Sequence, residues 1–474
     1  MHLPHRKAFI KKMMALSAGI LAMPKFSFSS LFPDNFKTAT AYSEDEKPFK
    51  MNEFAIIDLH CHPSQKLYLL GGLLPNKHLW GSHCPEPGPN LTSVQIDLKQ
   101  LSAGNMRGLM AAHYLPEAGL KTKWEKVKEF EGFLKQAAPN LYNRLEPGGQ
   151  ENFDRVNAMM GQLEYEIGIA NKKQNKIQLK VAKNFKEFQQ YLKEPNTIAL
   201  AHAIEGAHAI GRGLPGGIPA YLQNLEALKK RGLALITLGH FFENDFVSPV
   251  EGVSPASKTG PGFEWLYNPA TDNHPLKRTG EAVVEKMLDL GIVVDLTHST
   301  PECRKGVFKI NAGRKAAGKP IRPLIFSHTC SQQVFEKYEN KTFDNYKYYC
   351  VSPEEIDNIC ACDGTIGVIP ENFWLAGRDA HIKGTNPGPE AFEYGITYII
   401  ETIKNINQHT RTKDYDNISF GTDFDGLADD PKDLYVPSQL SDLFAAMKKD
   451  GFTDEQIKKI SYKNALRVLE NAWV

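Results

Sequence analysis

Ile292-Val293-Val294-Asp295-Leu296-Thr297-His298 is an apolar run of strand length that ends on ionisable side chains. Near-continuous apolar runs suit strands buried on both faces, as in a parallel sheet. Seven more stretches follow the same rule: Ala55–Leu59, Arg107–Ala112, Thr197–Ala201, Leu233–Leu238, Pro323–Phe326, Thr365–Pro370 and Asn417–Phe420. Eight is the strand number of a β/α barrel, which runs as one unit from about 200 to more than 400 residues. That accommodates most of a 474-residue chain without dividing it into three domains.

Helical patterns fill the intervals. Tyr221, Leu225 and Leu228 share a helical face before Gly232, and Val284, Met287 and Leu288 do so before Gly291, glycine being a common stop. Ser352-Pro353-Glu354-Glu355 is a capping box with proline at the first helical position. Phe392, Ile396, Ile399, Ile403 and Ile406 keep a three-and-four spacing. Strand alternating with helix predicts βαβ units with right-handed crossovers. The expected fold is therefore α/β: a (β/α)8 TIM-like barrel over residues 55–474. A helical insertion lies between strands 2 and 3 at about 115–195, with patterns at Trp124–Ala137, Asn152–Ala170 and Asn184–Lys193. Gln439–Lys449 and Thr453–Trp473 read as closing C-terminal helices.

Composition narrows the function. With 42% hydrophobic and 23% charged residues the chain has enough apolar content to build a core. The net charge of +1 supplies no basic surface for nucleic acid, and no apolar run reaches the ~18 residues of a membrane span. Five basic residues (Arg6, Lys7, Lys11, Lys12 and Lys25) and no acidic one precede Asp34, around the apolar stretch Met13–Pro24. Residues 1–30 thus read as an export signal and 31–54 as a lead-in segment, which predicts a periplasmic or extracellular protein. Arg6-Lys7 leaves the general secretory and twin-arginine routes both open. Seven cysteines are an odd number, and Cys360-x-Cys362 reads as buried thiols rather than a metal site, because zinc ribbons need paired Cys-x-x-Cys units.

The residues that end the runs are not a random sample. They include His60-Cys61-His62, Glu205, Gly239-His240, Thr297-His298, Ser327-His328 and Gly421-Thr422-Asp423-Phe424-Asp425-Gly426. In a barrel the C-terminal strand ends converge on the face where active sites are built. His60 and His62, two apart on a strand, point the same way. Together with Glu205, His298, His328 and Asp423 they form a donor set that suits zinc. His202 and His208 flank Glu205 without a ligand role, while Asp58, Asp295 and Asp425 read as hydrogen-bonding neighbours.

These motifs resemble the membrane (renal-type) dipeptidase family, within the amidohydrolase superfamily of binuclear-metal barrels, from Asp58 to Val468. Ile204-Glu205-Gly206-Ala207-His208, Val294–His298, Ile325–His328, Gly421–Gly426 and Asn464-Ala465-Leu466-Arg467-Val468 carry the resemblance. It implies two zinc ions per chain, with His60 and His62 on the first, His298 and His328 on the second, and Glu205 bridging. It also implies Asp423 as proton carrier and His240 as the stabiliser of the oxyanion. The implied substrate is a small molecule, a dipeptide or related amide, and a homodimer is the one protein partner left open. Two departures stand out. The family commonly has Asp where His62 stands, and Tyr349 occupies the place of its carboxylate-gripping Arg, as the candidate substrate-binding residue. Bidentate carboxylate recognition is what Arg does best. The rival readings are hydrolysis of another small amide, lactone or ester at the same site, and a non-catalytic metal or ligand binder.

Overall fold

The computed structural model describes residues 54–70, 94–119, 143–173, 176–250, 273–338, 344–371, 374–375, 395–426, 431 and 433–474. The expected export signal, nearly all of the lead-in segment and the Trp124–Ala137 pattern lie outside them.

Among the described residues nine parallel strands form the sheet: β1 (Ile56–Cys61), β2 (Met106–Tyr114), β3 (Gln178–Ala182), β4 (Thr197–Glu205), β5 (Leu233–Thr237), β6 (Val293–Asp295), β7 (Ile325–Thr329), β8 (Thr365–Val368) and β9 (Ile418–Phe420). The order β2-β1-β9-β8-β7-β6-β5-β4 closes on itself because β2 also pairs with β4, from Gly108 opposite Ala199 to Tyr114 opposite Glu205. Closure satisfies both edges, so the eight-stranded parallel barrel expected from the apolar runs is present.

β3 corrects the expectation of a purely helical insertion. It pairs with the first half of β4, Gln178 opposite Thr197 through Ala182 opposite Ala201, on the side that β5 takes over from His202 onward. Gln178-Leu179-Lys180-Val181 alternates polar and apolar, with Leu179 buried and Lys180 half-exposed, before the buried Ala182. That is the pattern of a strand covered on one face, and it escapes a search for continuous apolar runs. The helices Gly149–Lys173 and Phe185–Lys193 flank it as expected.

The helix stops agree with the sequence. Gly232 (φ 102°) and Gly291 (φ 67°) cap the helices Gly217–Arg231 and Arg278–Leu290 in the left-handed region that favours glycine. Ser352 and Glu355 form the expected capping box on Pro353–Ala361. The last expected helix is not uniform: Asp454–Lys458 and Asn464–Ala472 are joined by a π-turn at Lys459–Lys463.

Strand parity sorts the interior. Ala199, Ala201 and Ala203 share a face of β4 with Glu205, and Leu235, Val293 and Ile325 share faces with Thr237, Asp295 and Ser327. The apolar members of this inward set pack with Phe188, Val468, Leu469 and Trp473 in one buried cluster. The polar members follow them toward the C-terminal strand ends.

Candidate metal centre

Glu205, the last residue of β4, lies among five imidazoles. Its Oε1 is 3.3 Å from His60 Nε2, 3.2 Å from His298 Nε2 and 3.5 Å from His328 Nε2. Its Oε2 is 3.3 Å from His62 Nε2 and 3.5 Å from His240 Nε2. The histidines also pair: His60 with His62 and His298 with His328, each at 3.0 Å between Nε2 atoms. Asp423 Oδ1 is 3.0 Å from His62 Nε2 and 3.8 Å from His60 Nε2. All seven side chains singled out for metal binding and catalysis are thus in one cluster, and three overlapping groups within it have donor atoms placed to hold a metal ion.

The donor set fits zinc. Ligands at about 2.0–2.1 Å from a tetrahedral ion lie about 3.3–3.4 Å from one another, close to the separations around Glu205. Burial, with His60 and His298 beside it, holds His328 well below the usual imidazole range. Burial lowers His298 as well. Both rings are therefore neutral, with lone pairs for a cation. Burial works against the charge on Glu205, yet His240 and His60 hold its carboxyl well below the ordinary value. Burial opposes protonation of His62 too, but Asp423 and Glu205 push it up to about 10. A metal ion held by the same donors would compete with that proton.

A polar layer beneath the cluster orients it. Ser327 Oγ donates to Asp295 Oδ2 at 2.6 Å, leaving its lone pairs to His328 Nδ1 at 2.8 Å and His60 Nδ1 at 3.3 Å. A single hydroxyl thereby turns the Nε2 atoms of two histidines toward Glu205. Asp295 also accepts from Thr237 Oγ1 (2.5 Å), Thr297 N (3.1 Å) and Ser327 N (2.8 Å). A Cβ on Gly367 or Gly421 would collide with the Ser327 carbonyl, so glycine at both positions permits this close packing. Asp58 accepts from Thr422 N (2.9 Å) and Thr422 Oγ1 (2.6 Å), tying the middle of β1 to the Asp423 turn. Asp425 accepts from Gln95 N and Ile96 N and pairs with Lys66 at 2.8 Å.

Two donors sit in strained backbone. His298 (φ 65°) and Asp423 (φ 54°) adopt the left-handed region, which costs of order 1–3 kcal/mol per residue. Val250 N donates to His298 O at 2.7 Å and Asp423 N to His60 O at 2.8 Å, which hold them there.

Tyr349 is at the site but turned inward. It is 1% exposed, its ring meets His298 edge-on at 5.6 Å, and its hydroxyl donates to Val250 O at 2.8 Å. Trp374 stacks on it at 4.7 Å and on His328 at 5.6 Å. The neighbouring guanidinium of Arg304 is committed to Tyr348 O, Cys350 O and Glu355. His202 stays outside the cluster, with Nδ1 2.9 Å from His113 Nε2. His208 bonds Leu115 O at 2.7 Å.

One acidic residue was not foreseen. Glu117 is 2% exposed and lies 3.0 Å from His240 Nδ1. Burial opposes its ionisation, but His240 lowers it to about 2. It follows the second apolar run by five residues, beyond the end of β2, where the strand-end rule points instead at His113.

Comparison with known proteins identifies the family and the fold. A model of the membrane dipeptidase family (peptidase family M19) matches residues 50–473. An uncharacterized dipeptidase of Schizosaccharomyces pombe is 27% identical over 274 residues, 58% of this chain and 53% of its own length. A dipeptidase of Clonostachys rogersoniana is 22% identical, over 81% of this chain and 77% of its own. Among solved structures, a metallopeptidase of Rhodobacter sphaeroides, liganded with a phosphinate mimic of the dipeptide L-Ala-D-Ala, superposes with a TM-score of 0.58 at 18% identity. The superposition covers 89% of this chain and 99% of that one. The likeness to that structure concerns the fold. With a family model matched across nearly the whole chain and its barrel carrying the histidine and carboxylate cluster, the protein belongs to the membrane dipeptidase family, peptidase family M19.

Proposed function

We propose that the protein is an exported dipeptidase that holds two zinc ions and hydrolyses the amide bond of a small substrate. The observation that carries this reading is Glu205, both of whose carboxylate oxygens face imidazoles on either side. His60 and His62 would hold one ion, His298 and His328 the other, and Glu205 would serve both. When bound, such a pair supplies Lewis acidity that lowers the pKa of water and polarises a carbonyl. Asp423 has a 15% exposed side chain against 6% or less for the other six, so it alone combines contact with the cluster and access to solvent. Its carboxylate takes the proton of the attacking water and returns it to the leaving amine nitrogen. His240 Nε2 points at the same space and stabilises the oxyanion.

A second reading, hydrolysis of amides or lactones without a free carboxylate, is favoured by Tyr349, whose hydroxyl is already committed to Val250 O.

The test is metal content and turnover on purified protein. About two zincs per chain and hydrolysis of dipeptides are expected. Asp423→Asn should keep the metal and lower kcat by about 10²–10⁴-fold. Loss of zinc in that variant would make Asp423 a ligand, and turnover of lactones without dipeptides would favour the second reading. Amidating the dipeptide should cost less than about tenfold in kcat/KM if no carboxylate anchor exists.

A further inference from the structure

We propose that Glu117 is the positioning residue for His240, fixing the ring so that only Nε2 is presented to the substrate. The inference rests on the oxyanion role proposed above for His240.

Each oxygen of Glu117 has a defined task. Oε1 accepts from Phe241 N and Phe242 N, both at 3.0 Å, which holds the backbone just beyond His240. Oε2 is 3.0 Å from His240 Nδ1 and accepts from Tyr114 Oη at 2.8 Å. Two aromatic rings pack against the imidazole as well, both tilted, with centroids 4.2 Å away for Tyr114 and 3.7 Å for Phe241. The remaining polar edge, Nε2, lies 3.5 Å from Glu205 Oε2, inside the metal cluster. Ring, backbone and aromatic wall are therefore held by one buried carboxylate from the segment after β2. With Nδ1–H given to Glu117, Nε2 donates only from the imidazolium, the form that a carboxylate at each ring nitrogen favours, and a donor held in this way needs no reorganisation as charge develops on the substrate oxygen. Its contribution then falls in the transition state rather than in substrate binding.

Glu117→Gln separates this role from a structural one. The amide oxygen can keep Phe241 N and Phe242 N, while the amide NH2 faces Nδ1, where an acceptor is needed. Expected is a fall in kcat of about 10–100-fold, less than the ~10²–10³ of losing an oxyanion donor outright. KM should stay within about twofold and zinc content should be unchanged. The decisive arm is a double-mutant cycle: in a His240→Ala background, Glu117→Gln should cost no further factor beyond about twofold. If the full loss reappears in that background, or zinc is lost with the carboxylate, Glu117 does not act through His240. A His240→Ala variant with native kcat would overturn the oxyanion reading and this proposal with it, an outcome distinct from an additive cycle. Glu117→Asp keeps a carboxylate one methylene shorter and should fall between native and Gln. If the Gln variant does not fold, an Asp variant equal to native in kcat would overturn the proposal.

Discussion

Ser327 shows how much one side chain can decide. Its hydroxyl has one proton, given to Asp295, so the two imidazole Nδ1 atoms near it must act as donors. That leaves the Nε2 lone pairs of His60 and His328 for metal. Ser327→Ala removes this constraint and opens little space, so the fold should survive while zinc binds about 10–100-fold more weakly. Competition with a chromophoric chelator measures it, and unchanged affinity would show that strand packing alone orients the rings. Ser327 was legible only as part of a motif. Its hydrogen bonds join β1, β6 and β7, residues far apart in the chain, and no spacing rule encodes them.

At the scale of elements, the helix Gly395–His409 begins against a carboxylate that gains little from its charge. Asp433 Oδ2 accepts from Ile396 N at 3.0 Å, while its Oδ1 is buried with no hydrogen-bond partner among the described residues. Burial raises its pKa to about 6. The folded chain therefore binds this proton more tightly than the unfolded chain, whose Asp titrates near 3.8. The stability it contributes is complete below about pH 4 and is lost as pH rises through about 6. Asp433→Asn should flatten this slope, raise Tm at pH 7.5 and leave Tm at pH 4 unchanged. Thermal melts across that range decide it, and a lower Tm at pH 7.5 would mean that the charge helps the helix start. The insertion teaches a related lesson. Its helices were legible from their periodicity, but β3 was not, because a one-face-covered strand reads as alternation that only the neighbouring β4 explains.

The whole molecule depends on closing the barrel and filling it. Trp473, fully buried, meets Phe188 edge-on at 6.0 Å and packs with the inward apolar residues of the strands. Removing so large a side chain leaves a cavity, so Trp473→Ala should destabilise by about 3–5 kcal/mol. Chemical denaturation measures this. The inward residues divide into an apolar set and a polar set along each strand, so the metal cluster should be unaffected in the folded fraction. Equal kcat per zinc-loaded chain is expected, and a matching fall in kcat would show that the two sets are mechanically coupled.

Eight apolar runs, their glycine stops and a capping box determined the barrel, because burial on both faces and helix termination are local demands written into consecutive residues. The same runs ended on His60, His62, Glu205, His240, His298, His328 and Asp423, so the members of the cluster were legible from position alone. Only the tertiary structure decided how they meet: Glu205 among five rings, Ser327 between two of them, and His298 and Asp423 held in left-handed backbone. It also turned Tyr349 inward and brought Glu117 to His240 across 123 residues of sequence. Those relations are contacts between strand ends, and closure of the sheet, rather than any local preference, sets their distances.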